Sequence, residues 1–218
     1  MASQSEENYL KALFHLSNEK DEVNVSELSA TLGVSKPSAN SMVKNLQQQG
    51  FVNYQKYKPL TLTEEGRRAA ALIVRKHRLT EMYLVEKMGF GWEEVHEIAE
   101  QVEHIDSPKF FQRMDEMLQH PTEDPHGSPI PDRDGKIKRH RYKVLSACKA
   151  GERVRLGALG ASSKEFLNFL NNRDISLGMW MEVLSVEAFD GSMVLKYEGH
   201  GHESLSQNVC DRLLVEEE

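Results

Sequence analysis

The sequence predicts a mainly α protein with an N-terminal winged helix-turn-helix and a β module toward its C-terminal end. Three observations carry this. Two short apolar-periodic stretches meet at Gly33 and run into an alternating segment, FVNYQKYKPLTLT. Helical periods follow from Thr63 to Leu118. Beyond about Tyr142 the apolar period shifts from 3.6 toward 2.

Residues 5–17 place Tyr9, Leu13 and Leu16 at i, i+4 and i+7, with Leu10 and Phe14 beside them, and read as a first helix. Ser26 is expected to cap the second helix, which buries Val25, Leu28 and Leu32 and ends at Gly33 in the left-handed conformation. Ser35 is expected to cap the third, with Pro37 in its first turn, where a missing N–H costs nothing. Ala39, Met42, Val43 and Leu46 form its inner face, and Gly50 closes it. Two short helices around a tight turn make a helix-turn-helix, and the alternating segment after it makes a hairpin wing with Lys56 and Lys58 in its loop.

Thr63 is expected to cap a long helix that runs through RKHRLTE to Gly89. A helix over about 92–106 follows, then one opened by Ser107 and Pro108 with Phe111, Met114 and Leu118 on its apolar stripe. Acidic residues and exposed apolar faces in this region fit a helical dimerisation layer. Four of the seven prolines fall between His120 and Gly135, which reads as an extended linker. RVRLGAL, GMWMEVLSVEAF and SMVLKYEG read as strands, SSKEFLNFLNN as a helix and DGS as a hairpin turn, together a small barrel-like module. The domains expected are therefore 1–72, 73–140 and 141–218.

With 218 residues the chain can bury a real core. No apolar run approaches the roughly 18 residues needed to span a bilayer. The start, MASQSEENYLKALF, has neither the basic nor the apolar segment of a secretion signal, so a cytoplasmic protein without membrane partners is expected. Cys148 and Cys210 lie in no metal-type spacing and read as isolated thiols. The net charge of −7 hides a division: residues 34–78 carry nine Lys or Arg and two Glu, and the remainder is strongly acidic. Such a split suggests one surface for a polyanion and another for cations.

The polyanion surface reads as the third helix and the wing. Lys36, Ser38, Asn40, Ser41 and Lys44 share the outer face of that helix, behind Ser35 and Pro37. Small hydroxyls allow close approach, Asn can bond base edges, and Lys reaches phosphate or guanine. Lys56 and Lys58 would lie along the DNA backbone.

The cation surface reads as EEVHEIAEQVEHIDS, residues 93–107. Taking about 100° per residue and His96 as zero, Glu100 falls near 40°, Glu103 near −20° and His104 near 80°. Two imidazoles and two carboxylates thus share one face, opposite Val95, Ile98, Val102 and Ile105. His77 and Glu81 stand at i and i+4 on the preceding helix. These donors suffice for one or two divalent ions. The plainer alternative is a solvated polar face.

The motifs SKPSANSMVKNL, RKHRLTE, VHEIAEQVEH and PHGSPIP, over essentially the whole chain, resemble the diphtheria-toxin-repressor and manganese-transport-regulator family of metal-dependent transcription factors, in its three-domain form with a C-terminal SH3-like domain. The resemblance implies a homodimer that binds a palindromic double-stranded operator when loaded with metal and controls metal-uptake genes. It implies up to two ions per subunit: a primary site of Glu100, Glu103 and His104 with Asn8 from the first helix, and an ancillary site of His77, Glu81 and His96. The third domain would add a ligand near Ser162, where Glu165 is the nearest carboxylate. Asn8 stands where manganese-type members have an acid, and Lys11 where some supply a further carboxylate. Glu100 stands where iron-type members have a cysteine. Hard oxygen donors with one or two imidazoles suit Mn2+, with Fe2+ close behind. Two other readings remain: a winged-helix regulator that needs no metal, and a helical di-metal carboxylate enzyme. The enzyme requires two Glu-x-x-His pairs on helices, and within the expected helices only Glu93 with His96 provides one.

Overall fold

The computed structural model describes residues 3–19, 22–55, 58–138 and 140–217, so Lys56 lies outside the described residues. They form two compact units: one built from residues up to 80 with 97–122 and 130–138, the other from 81–96, 123–129 and the segment from 139 onward.

The first unit opens with α1 (Gln4–Glu19), whose Leu10, Leu13 and Phe14 are buried. Helix α2 (Val25–Thr31) is capped by Asn24, not by the expected Ser26. Both are good capping residues, and the reciprocal box with Glu27 decides: Glu27 N–H donates to Asn24 Oδ1 at 2.9 Å and Asn24 N–H to Glu27 Oε2 at 3.1 Å. Gly33 turns the chain at φ 64°, a conformation costly for any residue with a Cβ. Helix α3 (Lys36–Gln48) is capped by Ser35 and buries Ala39, Val43 and Leu46 against α1 and α2. The wing is a short ladder of β1 (Val52–Asn53) and β2 (Thr61–Leu62), extended by a bridge from Val23 to Leu60. Helix α4 (Glu64–Met88) starts close against the wing, where a Cβ on Gly66 would lie 1.9 Å from the Phe51 carbonyl oxygen.

The expected helix over 92–106 is shorter. Helix α5 spans His96–Val102; Trp92 to Glu94 precede it in a turn, and Glu103 and His104 follow it in another. Ile105 N–H closes that turn on the Val102 carbonyl at 3.0 Å. Helix α6 (Pro108–Met117) buries Phe111 and Met114, while Phe110 and Met117 are exposed.

Asp115 of α6 is also buried. It receives Arg75 at 2.8 Å, His120 at 3.0 Å and Arg133 at 3.2 Å. Burial alone would push its carboxyl up; the His120 hydrogen bond, the Arg75 charge and the Arg133 hydrogen bond override this and hold it below the usual range. Its contribution is therefore complete above about pH 4, the ordinary Asp value, and is lost as pH falls through the lowered folded value. Asp115→Ala leaves the half-buried Arg75 with the Pro131 carbonyl but without its carboxylate, and is expected to cost about 3 kcal/mol at neutral pH. The gap between variant and parent should narrow in urea unfolding below about pH 4; an equal gap at all pH values would contradict this pairing.

The second unit centres on a six-stranded antiparallel sheet. Its strands are β3 (Lys143–Val144), β4 (Arg153–Leu159), β5 (Trp180–Val186), β6 (Met193–Tyr197), β7 (His200–Leu205) and β8 (Leu213–Glu217). Their order is β3-β8-β4-β5-β6-β7. Helix α7 (Lys164–Asn171) packs Phe166, Leu167 and Leu170 into the same core, and a short α8 (Gln207–Cys210) precedes β8. Cys148 and Cys210 are free and buried, and burial pushes the Cys210 thiol up to about 12. Among the described residues no helix is long and apolar enough to cross a membrane.

Candidate metal centre and nucleic-acid interface

Within the first unit, α1 carries Glu7 and Lys11 one turn apart on one face. Lys11 Nζ donates to Glu100 Oε1 at 2.6 Å and to both Glu103 oxygens at 2.7 and 2.9 Å. His77, from α4, lies with Nδ1 2.6 Å from Glu103 Oε2 and 3.8 Å from Glu100 Oε1. His104 Nδ1 lies 2.6 Å from Glu7 Oε2, and its Nε2 3.7 Å from Glu103 Oε1. The stripe is solvated at one end only: His96 is exposed, whereas Glu103 has no exposed surface. Burial would raise its carboxyl, but the His77 hydrogen bond and the Lys11 ammonium hold it below its ordinary value.

A carboxylate only accepts, so His104 Nδ1–H donates to Glu7, and in the neutral ring Nε2 carries the lone pair on the Glu103 side. A carboxylate behind a ligating imidazole is the arrangement that orients metal-binding histidines. Glu7 escaped the sequence reading because the contact spans 97 positions. The buried Asn8 Oδ1 has no hydrogen-bond partner among the described residues, which suits an oxygen intended for a cation. Carboxylate, imidazole and amide oxygen are donor types that a hard divalent ion takes.

The second unit holds another cluster. One ligand atom each from Glu81, Asp124 and His126, all three residues buried, lie within 4.8 Å of one another. His126 Nε2–H donates to the Trp92 carbonyl at 2.9 Å, which turns Nδ1 toward Glu81 Oε2 at 3.8 Å and Asp124 Oδ1 at 3.9 Å. Asp124 Oδ1 also accepts the backbone N–H groups of His126 and Ser128, so the Pro-rich segment folds as a tight turn that aims both side chains. His96 Nδ1 stands 3.3 Å from Glu81 Oε1. Glu165, expected here, is exposed in the first turn of α7 and belongs to neither cluster; Ser162 is exposed too. Glu93, three residues before His96, accepts from Asn171 Nδ2 at 3.0 Å.

On α3, Lys36, Pro37, Ser38, Ser41 and Lys44 are exposed, as is Lys58 in the wing. Ser35 Oγ is occupied as the cap, 3.3 Å from Ser38 N and 2.8 Å from Ser38 Oγ. Asn40 is half-buried, and its Oδ1 accepts from Tyr54 OH at 3.1 Å, so Tyr54, missed in the sequence, orients it. Behind this face, Glu6 of α1 accepts from Asn45 Nδ2 at 2.6 Å and Gln49 Nε2 at 2.5 Å, both on or just beyond α3. Helix α1 is thus bonded to the carboxylate cluster by Glu7 and Lys11 and to the outward-facing helix by Glu6.

A winged helix-turn-helix joined in this way to a ligand cluster defines a class of metal-responsive winged-helix proteins. Residues 1–60 match the model of the iron dependent repressor N-terminal DNA binding domain, and residues 63–132 that of the iron dependent repressor metal binding and dimerisation domain. The chain is similar to the iron-dependent repressor IdeR of Mycobacterium tuberculosis, at 35% identity over 57% of this chain and 54% of that one. It is similar to the diphtheria toxin repressor of Corynebacterium diphtheriae at 26% identity over 97% and 92%. The match spans about half the length of the first of these relatives. Among solved structures, a manganese-dependent transcriptional repressor in complex with manganese superposes with a TM-score of 0.87 at 31% identity, covering 98% of this chain and all of that one. The chain belongs to the iron-dependent repressor family. That family consists of transcriptional repressors, so the enzyme reading is set aside.

Proposed function

We propose that this protein is a transcriptional repressor of metal-uptake genes that binds a palindromic operator as a homodimer when loaded with Mn2+ or Fe2+. The observation that carries the reading is α1, bonded to the ligand cluster by Glu7 and Lys11 and to α3 by Glu6. We assign residues 1–72 to DNA binding, 73–140 to metal binding and dimerisation, and 141–218 to the β module. Ile105, Phe110 and Met117, exposed on a single chain, suit the dimer contact.

Glu100, Glu103, His104 and Asn8 would hold one ion per subunit. Glu81 and His96 stay with the second, joined by Asp124 and His126 in place of Glu165; His77 stands with Glu103. A bound divalent ion supplies two positive charges that draw carboxylate, imidazole and amide oxygen together. Asn8 is the ligand that lies on the DNA-binding segment, so closing the first set fixes α1, and Glu6 carries that constraint to α3.

Lys36, Ser38, Ser41 and Lys44 face the major groove, with Asn40 held by Tyr54, while Lys58 and Lys56 accompany the backbone. Lys44→Ala is expected to weaken binding to all sequences and to reduce the log–log salt slope by about 0.9. Ser38→Ala should instead relax preference at particular base pairs by about 1–3 kcal/mol. Anisotropy titrations at several salt concentrations separate the two, and unchanged slopes and preferences would place DNA on another surface.

Selecting duplexes from a randomised library with the Mn2+-loaded protein tests the function. An inverted repeat with half-sites about one helical turn apart, or a multiple of it, is expected. Recovery of no common sequence would overturn the reading.

A further inference from the structure

Lys11 occupies the space a cation would take. Its ammonium lies within 2.9 Å of three carboxylate oxygens from two acids. The Lys11 side chain is only 12% exposed and that of Glu103 not at all, so their contact is shielded from water and from screening by salt, while Glu100 at 38% stays open to solvent. In the metal-free chain the negative charges of Glu100 and Glu103 are therefore balanced from within.

We propose that Lys11 is a built-in competitor for the metal. Resting on the repressor reading above, the inference is that the ammonium holds Glu100 and Glu103 in the metal-free chain and must leave before these carboxylates take a divalent ion. Lys11 thereby sets the metal concentration at which the protein responds. An ammonium and a divalent ion cannot share the same carboxylate oxygens at such distances, because their charges repel. The apparent affinity is then the intrinsic one multiplied by the fraction of molecules in which Lys11 has swung out. If that fraction is about one in ten, the apparent Kd is about tenfold weaker than the ligands alone would give.

The test is Mn2+ binding to the full-length protein, followed by the electron paramagnetic resonance signal of the free ion, alongside thermal unfolding of the metal-free protein. Lys11→Met removes the charge while keeping length and apolar stem, and Lys11→Gln is a second neutral variant should the first fold poorly. Both are expected to bind Mn2+ at least about tenfold more tightly at one site, while the metal-free form melts at a lower temperature. Lys11→Arg, which keeps the charge, is expected to retain weak binding. A residue with a purely structural role would lower melting temperature and metal affinity together, so the opposite signs are diagnostic. Unchanged or weaker Mn2+ binding in both neutral variants would overturn the proposal. Absence of Mn2+ binding by the parent and every variant would instead overturn the metal-regulator reading itself.

Discussion

Glu103→Gln is expected to abolish metal-stimulated DNA binding and to destabilise the metal-free protein. The carboxylate is wholly buried and shared by Lys11 and His77. An amide in its place keeps one acceptor oxygen but turns an NH2 group toward an ammonium or an imidazole N–H, so two donors face each other. Breaking one side of such a buried pair costs about 3 kcal/mol or more. Metal affinity should fall by more than the roughly 10–100-fold typical of losing an outer partner, because Glu103 is proposed as a ligand itself. Calorimetric metal binding and urea unfolding check the two effects. Metal binding within a few fold of the parent would show that Glu103 is only a structural acid.

Glu6→Ala should separate the two halves of the mechanism. Among the described residues Glu6 accepts from Ser3 N, Asn45 and Gln49, none of them a candidate ligand, and so joins α1 to α3. Its loss leaves the exposed Asn45 and Gln49 amides to water, at about 0.5–1.5 kcal/mol of stability. The functional effect is expected to be larger in kind. Coupling between two sites is commonly about 1–3 kcal/mol, and without Glu6 the tightening of DNA binding by Mn2+ should nearly vanish while Mn2+ affinity measured without DNA is unchanged. If Mn2+ tightened DNA binding in this variant as in the parent, the constraint would reach α3 by another path.

The sequence disclosed most where the signals are local. The winged motif is written in neighbouring residues: Gly33, Ser35 with Pro37, and the 3.6 period of Ala39, Val43 and Leu46. The one cap misplaced there, Ser26 for Asn24, turned on a box partner three residues on. Strand β7 was missed because HGHESL lies at the sheet edge with most side chains outside the core, so no alternation marks it. In the site, Glu100, Glu103 and His104 were legible from spacing along one stretch. Glu7 was not, since only tertiary packing brings it to His104. Asp124 and His126 were hidden in a segment whose prolines read as linker, although its turn is what points them at Glu81.

The central claim is that metal loading at the carboxylate cluster is what allows DNA recognition. Its most direct measurement is the anisotropy of a labelled duplex, selected as above, titrated with metal-free protein in the absence and presence of Mn2+. His104→Ala serves as control. The parent is expected to bind about 5–150-fold more tightly with Mn2+, the span of a 1–3 kcal/mol coupling, and His104→Ala to gain nothing. Equal affinity of the parent with and without Mn2+, or full stimulation of His104→Ala, would contradict the account.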